Sequence, residues 1–179
     1  MKTFWLWIGL ALVVVGIDQY SKYVVMNTLA IDEQWPVFSL LSFMHVHNDG
    51  AAFSFLRGES GWQRWVFALL AIVFSGFLIF ELRKLQLGRL NPSAKLGKDV
   101  IWLSFAFAMI LGGANGNLVD RLVHGYVVDF IFVHWNEHPF PIFNLADSSI
   151  FLGAALWIAH IFFVGGRTSP DRMRSQENG

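Results

Sequence analysis

Residues 112–147 read GGANGNLVDRLVHGYVVDFIFVHWNEHPFPIFNLAD. The stretch begins inside an apolar run, turns polar at Asn117, Asp120 and Arg121, and meets the next apolar run at Asp147. It carries three aspartates, Asp120, Asp129 and Asp147, between flanks suited to lipid. Charge at a bilayer boundary is costly to keep, so its presence asks for a chemical reason.

The rest of the chain supports a membrane setting. Of 179 residues, 55% are hydrophobic and only 15% are charged, against about 25% charged in an average soluble domain. The net charge is zero, which gives no hint of a nucleic-acid partner. Without cysteine there is no disulfide, thiolate ligand or thiol nucleophile. Lys2 followed by Phe4–Ile17 resembles a signal peptide, but no small-x-small cleavage site follows, so this segment reads as a retained first helix.

A bilayer crossing takes about 20 mostly apolar residues. Segments at about 4–26, 62–82, 99–119 and 147–165 qualify. The expected fold is therefore an all-α integral membrane protein with four transmembrane helices. One embedded domain covers residues 1–166, followed by a mobile hydrophilic tail over 167–179. A small β-rich segment is expected at about 35–57, where Val37–Phe43 and Met44–Phe55 flank or contain a turn signal at Asn48-Asp49-Gly50. Between helices two and three, Asn91-Pro92-Ser93 forbids one continuous helix.

Lysines and arginines set the orientation. Lys2, the linker residues Arg83, Lys84, Arg89, Lys95 and Lys98, and Arg167, Arg172 and Arg174 place nine on one face. Arg57, Arg64 and Arg121 place three on the other. The positive-inside rule then makes both termini cytoplasmic and the 27–61 and 121–146 connections external.

Depth is informative. Asp18 stands 14 residues above Phe4, or about 21 Å at the helical rise. Asn117 is 17 residues above Val100, and Asp147 is 17 residues from Val164 on a helix running the other way; both distances are about 26 Å. Three helices thus bring polar residues to the outer edge of one hydrocarbon layer.

Each of these residues also has a plain structural use. Asp18 and Lys22 are spaced to neutralise one another on a helix face. Gly112 and Gly116 have the spacing of close helix packing. Asn117 can bond a neighbouring helix, Asp120 and Arg121 can pair with each other, and His160 reads as a satisfied packing residue. Asp147 can cap a helix, which would be sufficient employment. Asp129 is different: it interrupts an apolar run, Tyr126–Val133, where a charge has no evident packing purpose.

Five segments, taken in order, resemble the lipoprotein signal peptidases (signal peptidase II). They are Asp18-Gln-Tyr-Ser-Lys22, Asn48-Asp-Gly-Ala-Ala-Phe53, Gly112-Gly-Ala-Asn-Gly-Asn-Leu-Val-Asp-Arg121, Val128-Asp-Phe130 and Phe143-Asn-Leu-Ala-Asp147. The resemblance implies an aspartyl endopeptidase of the bacterial inner membrane, with Asp129 and Asp147 as the catalytic pair. Asp18, Lys22, Asn48, Asn117, Asp120, Arg121 and Asn144 fall on positions that shape or support such a site. It also implies a diacylglyceryl-modified prolipoprotein as substrate, membrane lipid around it, sensitivity to the cyclic peptide globomycin, and neither metal nor cofactor.

Two carboxylates suffice for amide hydrolysis, one as base and one as acid. At about 4 Å and an effective dielectric near 20, two negative charges repel by roughly 4 kcal/mol. That is about three pKa units, so the pair is expected to hold one shared proton near neutrality. Two other chemistries compete. His134-Trp-Asn-Glu-His138 matches a zinc motif that requires a helix, which Pro139 and Pro141 oppose. A proton-coupled carrier would also use membrane acids, but its acids usually sit near the midplane of repeated halves.

Overall fold

A computed structural model describes residues 2–50, 61–88, 97–135 and 138–164. Four long helices form where apolar side chains run without a breaker: α1 (Lys2–Thr28), α2 (Trp62–Gly88), α3 (Lys98–Val123) and α4 (Leu145–Val164). Each is long and apolar enough to cross a membrane. A helix satisfies its own backbone, which is what a lipid interior demands. α2 outruns its expected end at 82 because Arg83 and Lys84 are good helix formers. The Asn91-Pro92-Ser93 turn and the 167–179 tail lie outside the described residues.

α3 is the hub of the bundle, packing against each of the other three helices. Small residues allow this. A Cβ on Gly112 would stand 2.6 Å from Val14 Cβ, and one on Gly116 2.6 Å from Asp18 Oδ2, both on α1. The close-packing role expected of these two glycines is what the structure shows. Leu78, Leu82, Phe107, Ile110 and Leu111 are buried between helices. Asn115 Nδ2 donates to Ser75 Oγ at 2.9 Å, and Gln86 Nε2 to Ser104 Oγ at 3.0 Å, tying α2 to α3 with polar contacts. Large apolar residues such as Leu12, Phe80 and Phe162 face outward, as a lipid-facing surface would require.

The sheet sits at the bundle end where α1 and α3 finish and α2 and α4 begin. Its strands are β1 (Gln34–Phe38), β2 (Leu41–Asn48), β3 (Val127–Trp135) and the two-residue β4 (His138–Pro139), antiparallel and in that order. Two expectations need correction. The hairpin turn falls at Ser39-Leu40, so one strand, β2, spans the join between the two anticipated segments. Asn48-Asp49-Gly50 instead ends β2: Gly50 N donates to Asn48 Oδ1 at 2.8 Å, with Gly50 at φ +92°. Its chemistry makes a side-chain turn rather than a strand reversal. Residues 51–57 of the expected β-rich segment lie outside the described residues. The second correction is that β3, expected only as an apolar connection, is the strand that β2 pairs with.

The single glycine of α4, Gly153, gives a test. A Cβ on Gly153 would lie 2.6 Å from the Ala106 carbonyl oxygen, whereas one on Gly9 would meet nothing within 4 Å. Overpacking of this kind costs about 1–3 kcal/mol. Gly153→Ala is expected to lower the unfolding temperature in detergent, and Gly9→Ala to leave it level or slightly raised. Equal temperatures for the two variants would contradict this packing.

Candidate active site

Asp129 lies in the buried half of β3, among Val127, Val128 and Phe130. Pairing with β2 sets Val46 opposite Asp129 and Asn48 opposite Val127. From there Asn48 Nδ2 donates to Asp129 Oδ2 at 2.7 Å. The other Asp129 oxygen, Oδ1, accepts from Asn144 Nδ2 at 2.6 Å. The acid that had no packing purpose in the sequence is thus held by two amides.

Asp147 sits in the first turn of α4, and it is not the cap. Asn144 takes that place: its Oδ1 accepts from Asp147 N at 2.9 Å, while Asp147 Oδ2 accepts from Asn144 N at 3.2 Å. This reciprocal exchange is a capping box, in which two backbone donors at the helix start are satisfied at once. A third comes from α1, where Asp18 Oδ1 accepts from Ala146 N at 2.9 Å. The remaining Asp147 oxygen, Oδ1, accepts from Asn117 Nδ2 at 2.7 Å. Asn144 therefore touches both aspartates, one through its side chain and the other mainly through its place in the cap.

Beneath the pair is a fully enclosed charge cluster. Lys22 Nζ lies 2.8 Å from Asp18 Oδ2, 2.9 Å from Asp120 Oδ2 and 3.0 Å from Asn117 Oδ1. Asp18 and Lys22 do pair as their spacing predicts. Asp120 does not pair with Arg121. It binds Lys22 and accepts from Gln19 Nε2 at 2.7 Å and Val128 N at 3.0 Å, because its side chain turns inward between α1 and β3. Arg121 points elsewhere, its guanidinium donating to Asn117 O at 3.2 Å and lying 5.1 Å from the Phe67 ring centroid. Its charge is within electrostatic reach of Asp147, Asp120 and Asp129.

The two aspartates and the seven supporting residues named from the resemblance converge here. Gln19, Gly50 and Phe67 were missed. Gln19 donates to Asp120 and to Gly116 O at 3.1 Å. A Cβ on Gly50 would lie 2.6 Å from Phe67 Cε2, so the ring closes over the end of β2. Only Gln19 was traceable, standing beside Asp18 in an otherwise apolar helix. His160 packs edge-on against Trp102, with ring centroids 6.4 Å apart, but its Nε2 has no hydrogen-bond partner among the described residues, so it is not satisfied as expected. His134 and His138 lie on paired strands, not on a helix, so the face the zinc motif requires is not formed.

Asp129 is pushed up to about 7 from 3.8. Burial is the largest cause; the Asn48 amide opposes it, and the negative charge of Asp147 adds to it. The value agrees with the charge-repulsion estimate, but desolvation, rather than the partner's charge, leads.

Known proteins share this arrangement of chain and fold. The family description "Signal peptidase (SPase) II" matches residues 10–163. The chain is 44% identical to a lipoprotein signal peptidase of Alteromonas mediterranea, over 91% of this chain and 80% of that one. It is 47% identical to a lipoprotein signal peptidase of Pseudomonas aeruginosa, over 88% and 87%. Two bacterial membrane enzyme structures obtained by the in meso method, at 1.9 and 2.3 Å, superpose with TM-scores of 0.71 and 0.73 at 28% identity. They cover 92% and 95% of this chain, and 95% and 93% of their own.

The raised Asp129 has a consequence for stability. Between its unfolded value near 3.8 and its folded value near 7, the folded state binds more protons, so stability falls as pH rises through that window. Asp129→Asn removes the titration. Its unfolding temperature is expected to exceed that of the parent at pH 8, with the gap closing towards pH 5. Parallel curves over this range would show that Asp129 is not desolvated as described.

Proposed function

This chain belongs to the signal peptidase (SPase) II family, and we propose that it is a membrane-embedded aspartyl endopeptidase. It removes the signal peptide from diacylglyceryl-modified prolipoproteins by water attack at the amide bond preceding the lipidated cysteine. One observation carries this reading: Asn144 bridges Asp129 on β3 and Asp147 on α4. Two carboxylates separated by 18 positions in sequence share one donor set.

With Asp129 poised near neutrality, the pair holds a single proton under working conditions. The ionised carboxylate takes a proton from a water between the two. That water attacks the scissile carbonyl, and the protonated partner supports the developing oxyanion. Return of the proton to the amine completes cleavage. Arg121, with its charge beside the pair and no carboxylate partner among the described residues, is placed to orient the substrate backbone. Asn48 and Asn117 hold the two carboxylates in their acceptor geometry.

The location fits a lipid-bearing substrate. Acyl chains on the modified cysteine lie in the leaflet, leaving the preceding bond near the membrane surface. The site sits where the helices end and the sheet begins, with outward apolar faces below it. The arginine and lysine distribution supports a reading with both termini in the cytoplasm and the site at the outer face, and the resemblance supports the bacterial inner membrane as its setting. Globomycin is the expected inhibitor.

Asp129→Asn and Asp147→Asn are each expected to reduce cleavage of a diacylglyceryl-modified precursor by at least about a thousandfold, as loss of an acid or base warrants. Both variants should still insert. The unmodified precursor should resist cleavage, and a chelator should change nothing. Retained turnover in either variant would refute the pair; loss of activity with chelator would return the case to a metal.

A further inference from the structure

Three asparagines surround the two aspartates, and all three turn Nδ2 towards a carboxylate. An asparagine amide is nearly isosteric end for end, so something must decide which end points where. A donor held against Oδ1 does so. For Asn48 the donor is Gly50 N, 2.8 Å away. For Asn144 it is Asp147 N, 2.9 Å away. Both are backbone groups fixed by the turn and the helix start.

Asn117 is held differently. Its Oδ1 accepts from Lys22 Nζ at 3.0 Å. Asn144 Nδ2 also donates to it at 3.1 Å with its second hydrogen, the first going to Asp129 Oδ1 at 2.6 Å, so Lys22 is one of two donors on this oxygen and the charged one. An ammonium can only donate, so it excludes the flipped amide outright. Lys22 directs its other contacts to Asp18 and Asp120, and the three acceptors match its three protons. Neutralising two buried acids takes a positive charge but no particular third contact; the reach to Asn117 is what ion pairing leaves unexplained.

We propose that Lys22 is a positioning residue for the reaction: by holding Asn117 Oδ1 it forces Asn117 Nδ2 towards Asp147 and so keeps that carboxylate an acceptor, aligned beside Asp129. The inference rests on Asp129 and Asp147 being the reacting pair. Lys22 itself touches neither; its charge acts on Asp129 from a distance, and its hold on Asp147 passes through the amide. Were the amide to turn, its oxygen would face Asp147 and only a protonated Asp147 could meet it.

The test is a cycle built to preserve buried charge. Lys22 with Asp18 and Asp120 sums to −1, and Lys22→Met combined with Asp120→Asn leaves Asp18 alone, again −1. The parent is therefore the charge-matched reference, and Asp120→Asn by itself, which sums to 0, shows what loss of that carboxylate does alone. Against the parent, the double variant should lower kcat about ten- to a hundredfold, as loss of an outer orienting contact does, with KM within about threefold, and Asp120→Asn alone should lower it less. In an Asn117→Ala background the same change should cost no more than about twofold further, because coupled residues do not add. Unchanged kcat, or a full second loss in the Asn117→Ala background, would overturn the proposal. Asn117→Asp provides an independent variant should the Lys22 protein fail to accumulate: it keeps an oxygen for Lys22 but removes the Nδ2 donor. Its kcat should fall with its level in the membrane retained, and parental activity would equally overturn the proposal. Asp129→Asn and Asp147→Asn run alongside: turnover in either would discard the reacting pair, whereas their loss with active Lys22 variants would discard the positioning role alone.

Discussion

A buried ammonium must give away all its protons or not be buried at all. Lys22 is 1% exposed, and its three contacts reach α1, α3 and, through Asn117, the start of α4. Stranding any one partner of such a cluster leaves a desolvated charge, commonly a loss of about 3–5 kcal/mol. The cluster also dictates backbone spacing. Gly116 is glycine because any side chain there would run into the Asp18 carboxylate. Charge placement and helix packing are here a single constraint.

Above that cluster the chemistry is organised by donor and acceptor parity. Carboxylates only accept when ionised, so neutral amides are well suited to hold them without cancelling their charge. Each aspartate of the pair receives two such donations. Arg121 supplies positive potential without closing on either acid, its guanidinium occupied by a backbone carbonyl and the Phe67 ring. The result is a polar cluster whose groups are partnered from within.

The helices were legible because span length and hydropathy are local properties. Depth was legible too: counting residues from the helix ends put Asp18, Asn117 and Asp147 at one level, and the structure joins them through Lys22 and the α4 cap. What escaped were the non-local choices. β3 reads as an apolar connection, since a strand buried on both sides loses the alternation that betrays strands. Asp120 could have paired with its neighbour Arg121, yet a residue folded in from α1 took it. Asn144 was carried as a supporting residue, but that it caps α4 in place of Asp147 depends on where the helix begins, a matter of three residues. The zinc motif shows the converse, a local pattern with no matching secondary structure beneath it.

The α4 start draws one of its bonds from Asp18, at a separation of 128 positions. A polypeptide emerges from the ribosome in order, so Asp18, Lys22, Asn48, Asn117 and Asp129 are all made before the final span. Asn144 and Asp147 arrive with that span, and the capping box closes only when it threads against α1 and α3. A partly synthesised chain therefore holds one acid and no partner for it. On the proposed mechanism, the paired acids are assembled only once α4 has joined α1 and α3, so the order of translation itself sets when the site is complete.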